Sequence, residues 1–193
     1  MLNVIDEKTD AVLRKQILTY HISGVLTDRE RAKLLGLPEG CRIRENAKII
    51  SPENLKCGNN VWIGEGAILD ASGGLEIGNY TQIGLYVLIW THTSVKQALR
   101  SETGIHSRSI ERKPTKIGNN CFIGGPSVIY PGVTIGDRVV VLPMSVVNKD
   151  VPDDSIVGGS PIGKLKDLER KVEELERKIE ELERNKNEKC NLE

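Results

Sequence analysis

The sequence predicts a mainly β protein whose central part coils into a parallel β-helix. An aliphatic residue recurs every six positions over twelve units between Cys57 and Pro152, with a small residue four positions after it. Neither the 3.6-residue period of an α-helix nor the two-residue period of a strand fits this repeat. Three such units, each a short strand and a turn, would complete one triangular coil. Only 4% of the residues are aromatic, which agrees with a narrow core of small and β-branched side chains.

The twelve units fall into two runs. The first run reads CGNNVW, IGEGAI and LDASGG, then two extra residues, then IGNYTQ, IGLYVL and IWTHTS. The second reads IGNNCF, IGGPSV, IYPGVT, IGDRVV, VLPMSV and VNKDVP. Glycine is the commonest second residue, and we expect it to supply positive φ angles at the corners. The phase predicts that Leu75 and Glu76 are inserted, that Ile89 and Thr93 point inward, and that His92 stands at a corner.

The repeat divides the chain into four segments. Residues 1–42 form an N-terminal helical segment, and residues 43–162 form the β-helix with a loop excursion at 95–116. A coiled-coil helix at 163–185 and a frayed tail at 186–193 complete the chain. Within the first segment, Asp28 is the expected cap of a second helix. This segment either covers the open end of the β-helix or contributes to the acceptor pocket.

The C-terminal segment changes to a seven-residue period. Apolar residues spaced alternately by three and four occupy the a and d positions of a coiled coil, namely Leu165, Leu168, Val172, Leu175, Ile179 and Leu182. Lysines at g positions and glutamates at the following e positions suit ion pairs between parallel helices. A single packing helix is the alternative. β-Branched residues at a with leucine at d favour two strands.

Composition excludes several classes of function. Lysine and arginine balance aspartate and glutamate at 27 each, so no basic face for nucleic acid is expected. No apolar run is long enough to span a bilayer, and the N-terminus lacks the pattern of a signal peptide. We therefore expect a cytoplasmic protein. The cysteines lack metal-ligand spacing and there are only three histidines, so we expect no metal site.

Several segments resemble the hexapeptide-repeat acetyltransferases. They are THTS, RKPTKIGNNCFIGG, YPGVTIG, SVVNKDVP and GGSPIGKL, and the resemblance covers residues 43–167. The galactoside, maltose and capsule or lipopolysaccharide O-acetyltransferases are the most similar branch. The resemblance implies a left-handed β-helix, a homotrimer with active sites between subunits, and acetyl-CoA as co-substrate. We expect the trimeric body to set the number of strands in the coiled coil.

The resemblance also implies which residues act. His92 occupies the place of the family's catalytic base, although Thr93 replaces the usual following proline. An imidazole, with an ordinary pKa of about 6.5, can take the proton of a sugar hydroxyl as it attacks a thioester. A backbone N–H at Gly124–Gly125 is the expected donor to the oxyanion. From the sequence alone, His92 could equally be an ordinary surface histidine.

The expected coenzyme A groove carries over by position, and it consists of Phe122, Gly124, Gly125, Pro143, Ser145, Asn148, Lys149, Lys164 and Lys166. Phe122 replaces a usual tryptophan, and Pro143 replaces a residue whose N–H often contacts the pantetheine, which proline cannot do. Core packing is the alternative for Phe122 and Ser145. For Lys164 and Lys166 the alternative is the entry to the coiled coil.

Candidate acceptor contacts are Trp90, Tyr86 and His106. Trp62, Trp90, Tyr80 and Tyr86 are all outward by phase and could contact either sugar or a neighbouring subunit. His106 and Arg108 lie in the loop and could reach a neighbour's site. The activity implied is O-acetylation of a sugar or surface-polysaccharide hydroxyl. N-acetylation of a nucleotide-linked amino sugar and a non-catalytic trimeric scaffold are the alternatives. The zinc-dependent γ-type carbonic anhydrases share the fold but need three histidines at the metal.

Overall fold

The structure is a computed structural model that describes residues 26–100, 109–161, 163–164, 172–181 and 184. Within these residues the repeat region is a parallel β-helix with three sheets. Sheet 1 contains β1 (Arg42–Ile43), β4 (Trp62–Ile63), β7 (Gln82–Ile83), β12 (Phe122–Ile123), β15 (Val140–Val141), β17 (Ile156–Gly158) and β18 (Gly163–Lys164). Sheet 2 contains β2 (Lys48–Ile50), β5 (Ile68–Asp70), β8 (Leu88–Ile89), β13 (Val128–Ile129) and β16 (Val146–Val147). Sheet 3 contains β3 (Leu55–Cys57), β6 (Leu75–Ile77), β11 (Thr115–Ile117) and β14 (Thr134–Ile135).

Successive strands of one coil belong to different sheets, and the strands of neighbouring coils pair in parallel. Two pairings are antiparallel: β9 (His92–Thr93) with β10 (Glu111–Arg112), and β17 with β18. The first confines an excursion of the chain that includes α2 (Val95–Leu99). The predicted β-helix is therefore confirmed. The predicted excursion leaves and returns at the same side of the β-helix, because β9 and β10 pair with each other.

Aliphatic residues from the first position of the repeat fill the core. Ile63, Leu69, Ile83, Ile89 and Ile123 all have no exposed surface. The fifth position is also buried, with two exceptions at one corner. There Ala71 and Thr91 are buried in place of Gly73 and Thr93, and Leu75 points inward although the repeat marked it as inserted. The phase was wrong at Ala71 and Leu75 because the two extra residues of this coil shift the inward positions, and at Thr93 because the chain leaves the regular coil to form β9.

The second-position glycines have a different role from the one predicted. Positive φ angles occur instead at the fourth position, as in Asn60 (φ 58), Tyr86 (φ 57) and Asn120 (φ 56). At Gly78 a Cβ would lie 2.6 Å from the carbonyl carbon of Gly118, and at Gly84 it would lie 2.6 Å from the oxygen of Ile123. Glycine is required at these sites because the next coil passes too close for any side chain.

A ladder of amide and carboxylate side chains stabilises the corner between sheets 3 and 1. Asn79 Oδ1 accepts from the N–H of Asn59, and Asn119 Oδ1 accepts from the N–H of Asn79. Asp137 and Asp153 continue the ladder toward the C-terminus. Each side chain thereby satisfies a backbone donor of the preceding coil, which the sheet itself leaves unpaired.

Helix α1 (Asp28–Leu34) packs on the N-terminal end of the β-helix. Its cap is Thr27 rather than the predicted Asp28, because Thr27 and Glu30 form a reciprocal capping box. Arg31 is buried, and its Nε donates to the oxygen of Ile43 at 2.8 Å. The remainder of the predicted N-terminal helices lies outside the described residues.

The C-terminal segment begins with a strand rather than a helix. Gly163–Lys164 pair with Val157 and Gly158, after the chain reverses at Gly159 (φ 103). Residues 172–181 are helical, and Val172, Leu175 and Ile179 are each more than half exposed. These three residues of the heptad stripe are therefore not buried against the β-helix, and assembly into a coiled coil stays a prediction. None of the described helices is long and apolar enough to cross a membrane.

Candidate active site

The corner between sheets 2 and 3, here called the His92 corner, departs most from the regular repeat. Three residues occupy the second position of the repeat, where glycine is usual, at the ends of sheet 2 strands in successive coils: Asp70 is the last residue of β5, Trp90 follows β8 and Tyr130 follows β13. His92 begins β9, just after the chain leaves the coil. This corner therefore brings polar and aromatic side chains to the edge of an otherwise aliphatic prism.

Asp70 is fully buried behind His92. Its Oδ2 lies 2.6 Å from Nδ1 of His92, whose side chain is 32% exposed. A carboxylate only accepts hydrogen bonds, so this contact requires the proton on Nδ1. In the neutral ring, Nε2 is consequently an unprotonated acceptor. His92 is thus held in the tautomer that a general base needs.

Three further donors hold the Asp70 carboxylate. Oδ1 accepts from the N–H of Ser72, and Oδ2 accepts from the N–H and the hydroxyl of Thr91. The Ser72 hydroxyl also lies 3.1 Å from Nδ1 of His92. Burial raises the pKa of Asp70, but the hydrogen bonds from Thr91, Ser72 and His92 outweigh it, so the pKa lies below the ordinary value. Asp70 is therefore a carboxylate at neutral pH.

A cavity of about 380 Å³ opens in front of His92, within the usual size range of small-molecule sites. Its described lining consists of Trp90, His92, Thr93, Val95, Lys113, Val128, Tyr130 and Pro131. The Trp90 ring meets the His92 ring edge-on, with centroids 6.2 Å apart. Mostly apolar walls with one oriented imidazole suit a ligand that presents both carbon–hydrogen faces and hydroxyl groups.

Only part of the predicted acceptor set lies at this cavity. Trp90 lines it, whereas Tyr86 stands at the corner between sheets 1 and 2, with its ring over Gly66. Tyr80 and Tyr86 are exposed, in agreement with their predicted outward positions. His106 lies outside the described residues.

The predicted coenzyme residues divide between two corners. Phe122 is exposed on sheet 1, and Gly124, Gly125 and Pro143 stand at the corner between sheets 1 and 2, away from His92. The N–H of Gly124 donates to the oxygen of Val141, so among the two glycines only Gly125 keeps its N–H outside the sheet ladder described here. The Ser145 side chain is buried, and its hydroxyl donates to the oxygen of Leu142.

The other predicted coenzyme residues lie nearer the His92 corner or beyond the described chain. Asn148 and Lys149 are exposed and follow β16, beside the coil that carries Tyr130 and Pro131. Lys164 lies in β18, and Lys166 is outside the described residues. A single chain thus does not gather the whole predicted set around one cavity.

Asp70, Ser72 and Lys113 were missed from the sequence. Ser72 lies twenty residues before His92, and strands β2, β5 and β8 are also spaced by twenty residues. One coil in this part of the chain therefore contains twenty residues. The sequence did contain a signal for Asp70: an acidic residue stands where the repeat usually has glycine, one coil before a histidine at a corner.

The fold is a parallel β-helix built from six-residue repeats. Residues 104–149 match the family model described as bacterial transferase hexapeptide (six repeats).

Two relatives and one solved structure illustrate the similarity. The chain is 31% identical to the putative colanic acid biosynthesis acetyltransferase WcaF of Escherichia coli over 124 residues, 62% of each chain. It is 32% identical to the galactoside O-acetyltransferase of Escherichia coli over 134 residues, 65% of this chain and 63% of that protein. It therefore spans less than two thirds of either relative.

The solved structure is that of the hexapeptide-repeat-containing acetyltransferase VCA0836 from Vibrio cholerae. It superposes with a TM-score of 0.66 at 26% identity, covering 81% of this chain and 88% of that one. The same protein is also known in complex with acetyl coenzyme A, and that structure superposes with a TM-score of 0.60 at 25% identity.

Proposed function

We propose that this protein is an acetyl-CoA-dependent O-acetyltransferase that acts on a hydroxyl of a sugar or surface polysaccharide. The observation that carries the proposal is the orientation of His92. Its Nδ1–H is engaged by buried Asp70, which leaves Nε2 as the ring nitrogen free to accept a proton at the cavity that His92 lines. The acetyltransferase names of both relatives support the acyl-transfer chemistry.

In the proposed reaction, the acceptor hydroxyl enters the cavity and its oxygen attacks the acetyl carbonyl carbon. His92 Nε2 takes the hydroxyl proton as the new carbon–oxygen bond forms. When the carbon–sulfur bond breaks, the imidazolium returns that proton to the leaving thiolate, which departs as the coenzyme A thiol. Asp70 stabilises the transient imidazolium by its charge and keeps the ring in place.

The residues proposed to bind acetyl-CoA lie at two different corners of the β-helix within one chain. The N–H of Gly125 is the proposed donor to the developing oxyanion. Phe122, Gly124, Pro143 and Ser145 stand with it at the other corner, while Asn148 and Lys149 lie near the His92 corner. We propose that neighbouring subunits of a homotrimer bring the two corners together. Lys164 and Lys166 would then contribute positive charge near the coenzyme phosphates.

The test is calorimetric titration of wild type and His92→Ala with acetyl-CoA, followed by thiol release on a panel of sugars. We expect both proteins to bind acetyl-CoA with similar affinity. We expect His92→Ala to lose about 10²- to 10⁴-fold in rate, the usual contribution of a general base. Amino sugars belong in the panel because an amine acceptor would use the same base. Transfer to amines alone would replace the O-transfer proposal with N-transfer. No acetyl-CoA binding by wild type would leave a non-catalytic scaffold as the better account.

A further inference from the structure

Lys113 is the one permanently charged side chain among the described residues that line the His92 cavity. The other lining residues are apolar, aromatic or neutral hydroxyl side chains, apart from His92 itself. Neither acetyl transfer nor the Asp70–His92 pair requires a lysine at this place. Its presence therefore calls for a separate explanation.

The backbone at Lys113 is fixed relative to His92. The N–H of Lys113 donates to the oxygen of Thr91 at 2.8 Å, directly beside the histidine in the chain. Two residues later, the hydroxyl of buried Thr115 donates to the oxygen of Trp90 at 2.9 Å. Pro114 between them restricts the backbone further. The backbone of Lys113 is thus held in a fixed position beside His92.

The aliphatic part of the Lys113 side chain also packs against the backbone. A Cβ on Gly132 would lie 3.2 Å from both Cβ and Cδ of Lys113, so the stem passes close over this glycine. The Lys113 side chain is exposed beyond that contact. A lysine anchored along its carbon chain and open at its ammonium end is suited to bind a ligand group, since it has less side-chain freedom to lose.

In the part of the chain that the structure describes, the Lys113 ammonium group forms no hydrogen bond or ion pair. Glu111 attracts Lys113, but it forms its ion pair with Lys96, and the pKa of Glu111 is lowered first by Lys96 and only secondarily by Lys113. Asp70 is buried behind His92 and held by its own donors. Arg112 adds a further positive charge opposite His92 in the β9–β10 pair. Among the described residues, those beside and in the cavity lining therefore carry more positive than negative charge.

We propose that Lys113 makes the His92 cavity selective for acceptors that carry an anionic group, a carboxylate or a phosphate, beside the hydroxyl to be acetylated. The inference rests on the proposed function for the identity of the reaction. Trp90 and Tyr130 would contact the carbon–hydrogen face of the sugar, His92 its hydroxyl and Lys113 its anion. A charge-assisted hydrogen bond at a fixed site would give the preference.

The experiment compares three acceptors: methyl glucuronoside, its neutral counterpart methyl glucoside, and glucose 6-phosphate. The proteins are wild type, Lys113→Gln, Lys113→Arg and Lys48→Gln, the last being an exposed lysine of β2 that lies outside the cavity lining. Acceptor affinity is measured by NMR titration, and transfer by thiol release with acetyl-CoA. Acceptor binding and transfer are separate readouts.

We expect wild type to bind at least one anionic acceptor about tenfold or more tightly than methyl glucoside. Lys113→Gln should remove that preference, while Lys113→Arg retains most of it and Lys48→Gln all of it. Equal affinity of wild type for the three acceptors would overturn the inference, as would a preference that survives in Lys113→Gln. The relative affinities for glucuronoside and phosphate distinguish the two anions.

The binding arm separates this inference from the proposed function. An anion preference that depends on Lys113 without any thiol release would support the inference and count against acetyl transfer. Thiol release with no anion preference would support acetyl transfer and overturn the inference about Lys113. A loss of acetyl-CoA affinity in Lys113→Gln would assign the lysine to the coenzyme instead and overturn the inference.

Discussion

Nδ1 of His92 lies 2.6 Å from Oδ2 of Asp70, although the two residues are twenty-two positions apart in the chain. The β-helix makes this contact because each coil stacks its corner on the corner of the coil before it. Asp70 ends β5, and His92 follows β8 in the next coil. The carboxylate and the imidazole thus belong to consecutive layers of one corner.

Asp70→Asn should reduce turnover by about 10²- to 10⁴-fold while preserving the fold. The asparagine amide can donate to Nδ1 of His92, which would move the ring proton to Nε2 and remove the base. Measured kcat tests the rate, and the ¹⁵N shifts of the His92 ring test the tautomer. Asp137→Asn is the matched control, because asparagine fills the same ladder position in the neighbouring coil at Asn119. Unchanged kcat with the proton still on Nδ1 would remove Asp70 from a role in orienting the base.

Asp70 should also contribute to stability in a pH-dependent manner. Its folded-state pKa is lowered below the ordinary carboxyl value of about 3.9. The unfolded state therefore binds the proton more readily, so the contribution is complete above about pH 4 and is lost as pH falls through the folded pKa. We expect the difference in unfolding free energy between wild type and Asp70→Asn to shrink between neutral and acidic pH. Urea denaturation at both pH values measures it, and a difference that grows on acidification would contradict the lowered pKa.

Gly78→Ala should destabilise the β-helix by about 1–3 kcal/mol or more, because the new Cβ would meet the backbone of Gly118 and Asn119. Asn120→Gly tests the fourth position of the repeat, where the backbone has a positive φ angle. Asn120 already has a positive φ of 56°, so glycine there should change stability by no more than about 1 kcal/mol. Thermal unfolding of the two variants distinguishes the roles. Equal losses would mean that close approach between coils is not what demands glycine at Gly78.

The exposed heptad residues predict an oligomer that depends on the C-terminal helix. Leu175→Asp should weaken self-association because it places a charge in the apolar stripe with Val172 and Ile179. Arg177→Asp, an exposed change away from that stripe, is the control. Sedimentation equilibrium should give three chains of 21.3 kDa, about 64 kDa, for wild type. A two-chain mass would show that the helix, and not the β-helix body, sets the assembly.

Periodicity predicted most of the fold because burial depends on local pattern. Ile63 and Ile83 could be placed inside from their spacing alone. The pattern failed at Thr93, where backbone pairing with β10 replaces the regular coil, and at Leu75, which is buried in β6 where the repeat has two extra residues. His92 could be selected as a corner residue, but Asp70 could not be paired with it without knowing that one coil holds twenty residues here. Lys113 was missed because its position depends on the return of the excursion to Thr91, a contact that no short sequence window contains.

The antiparallel pair β9–β10 closes the excursion at its base, where the N–H of Lys113 meets the oxygen of Thr91. Asp70, Ser72 and Thr91, which orient the imidazole, all belong to the prism side of this closure. Replacing the chain between the two strands should therefore leave the oriented imidazole in place. Of the described residues that line the cavity, only Val95 lies between these strands, so a loop graft would alter one edge of the acceptor site and keep Trp90, Tyr130 and Lys113.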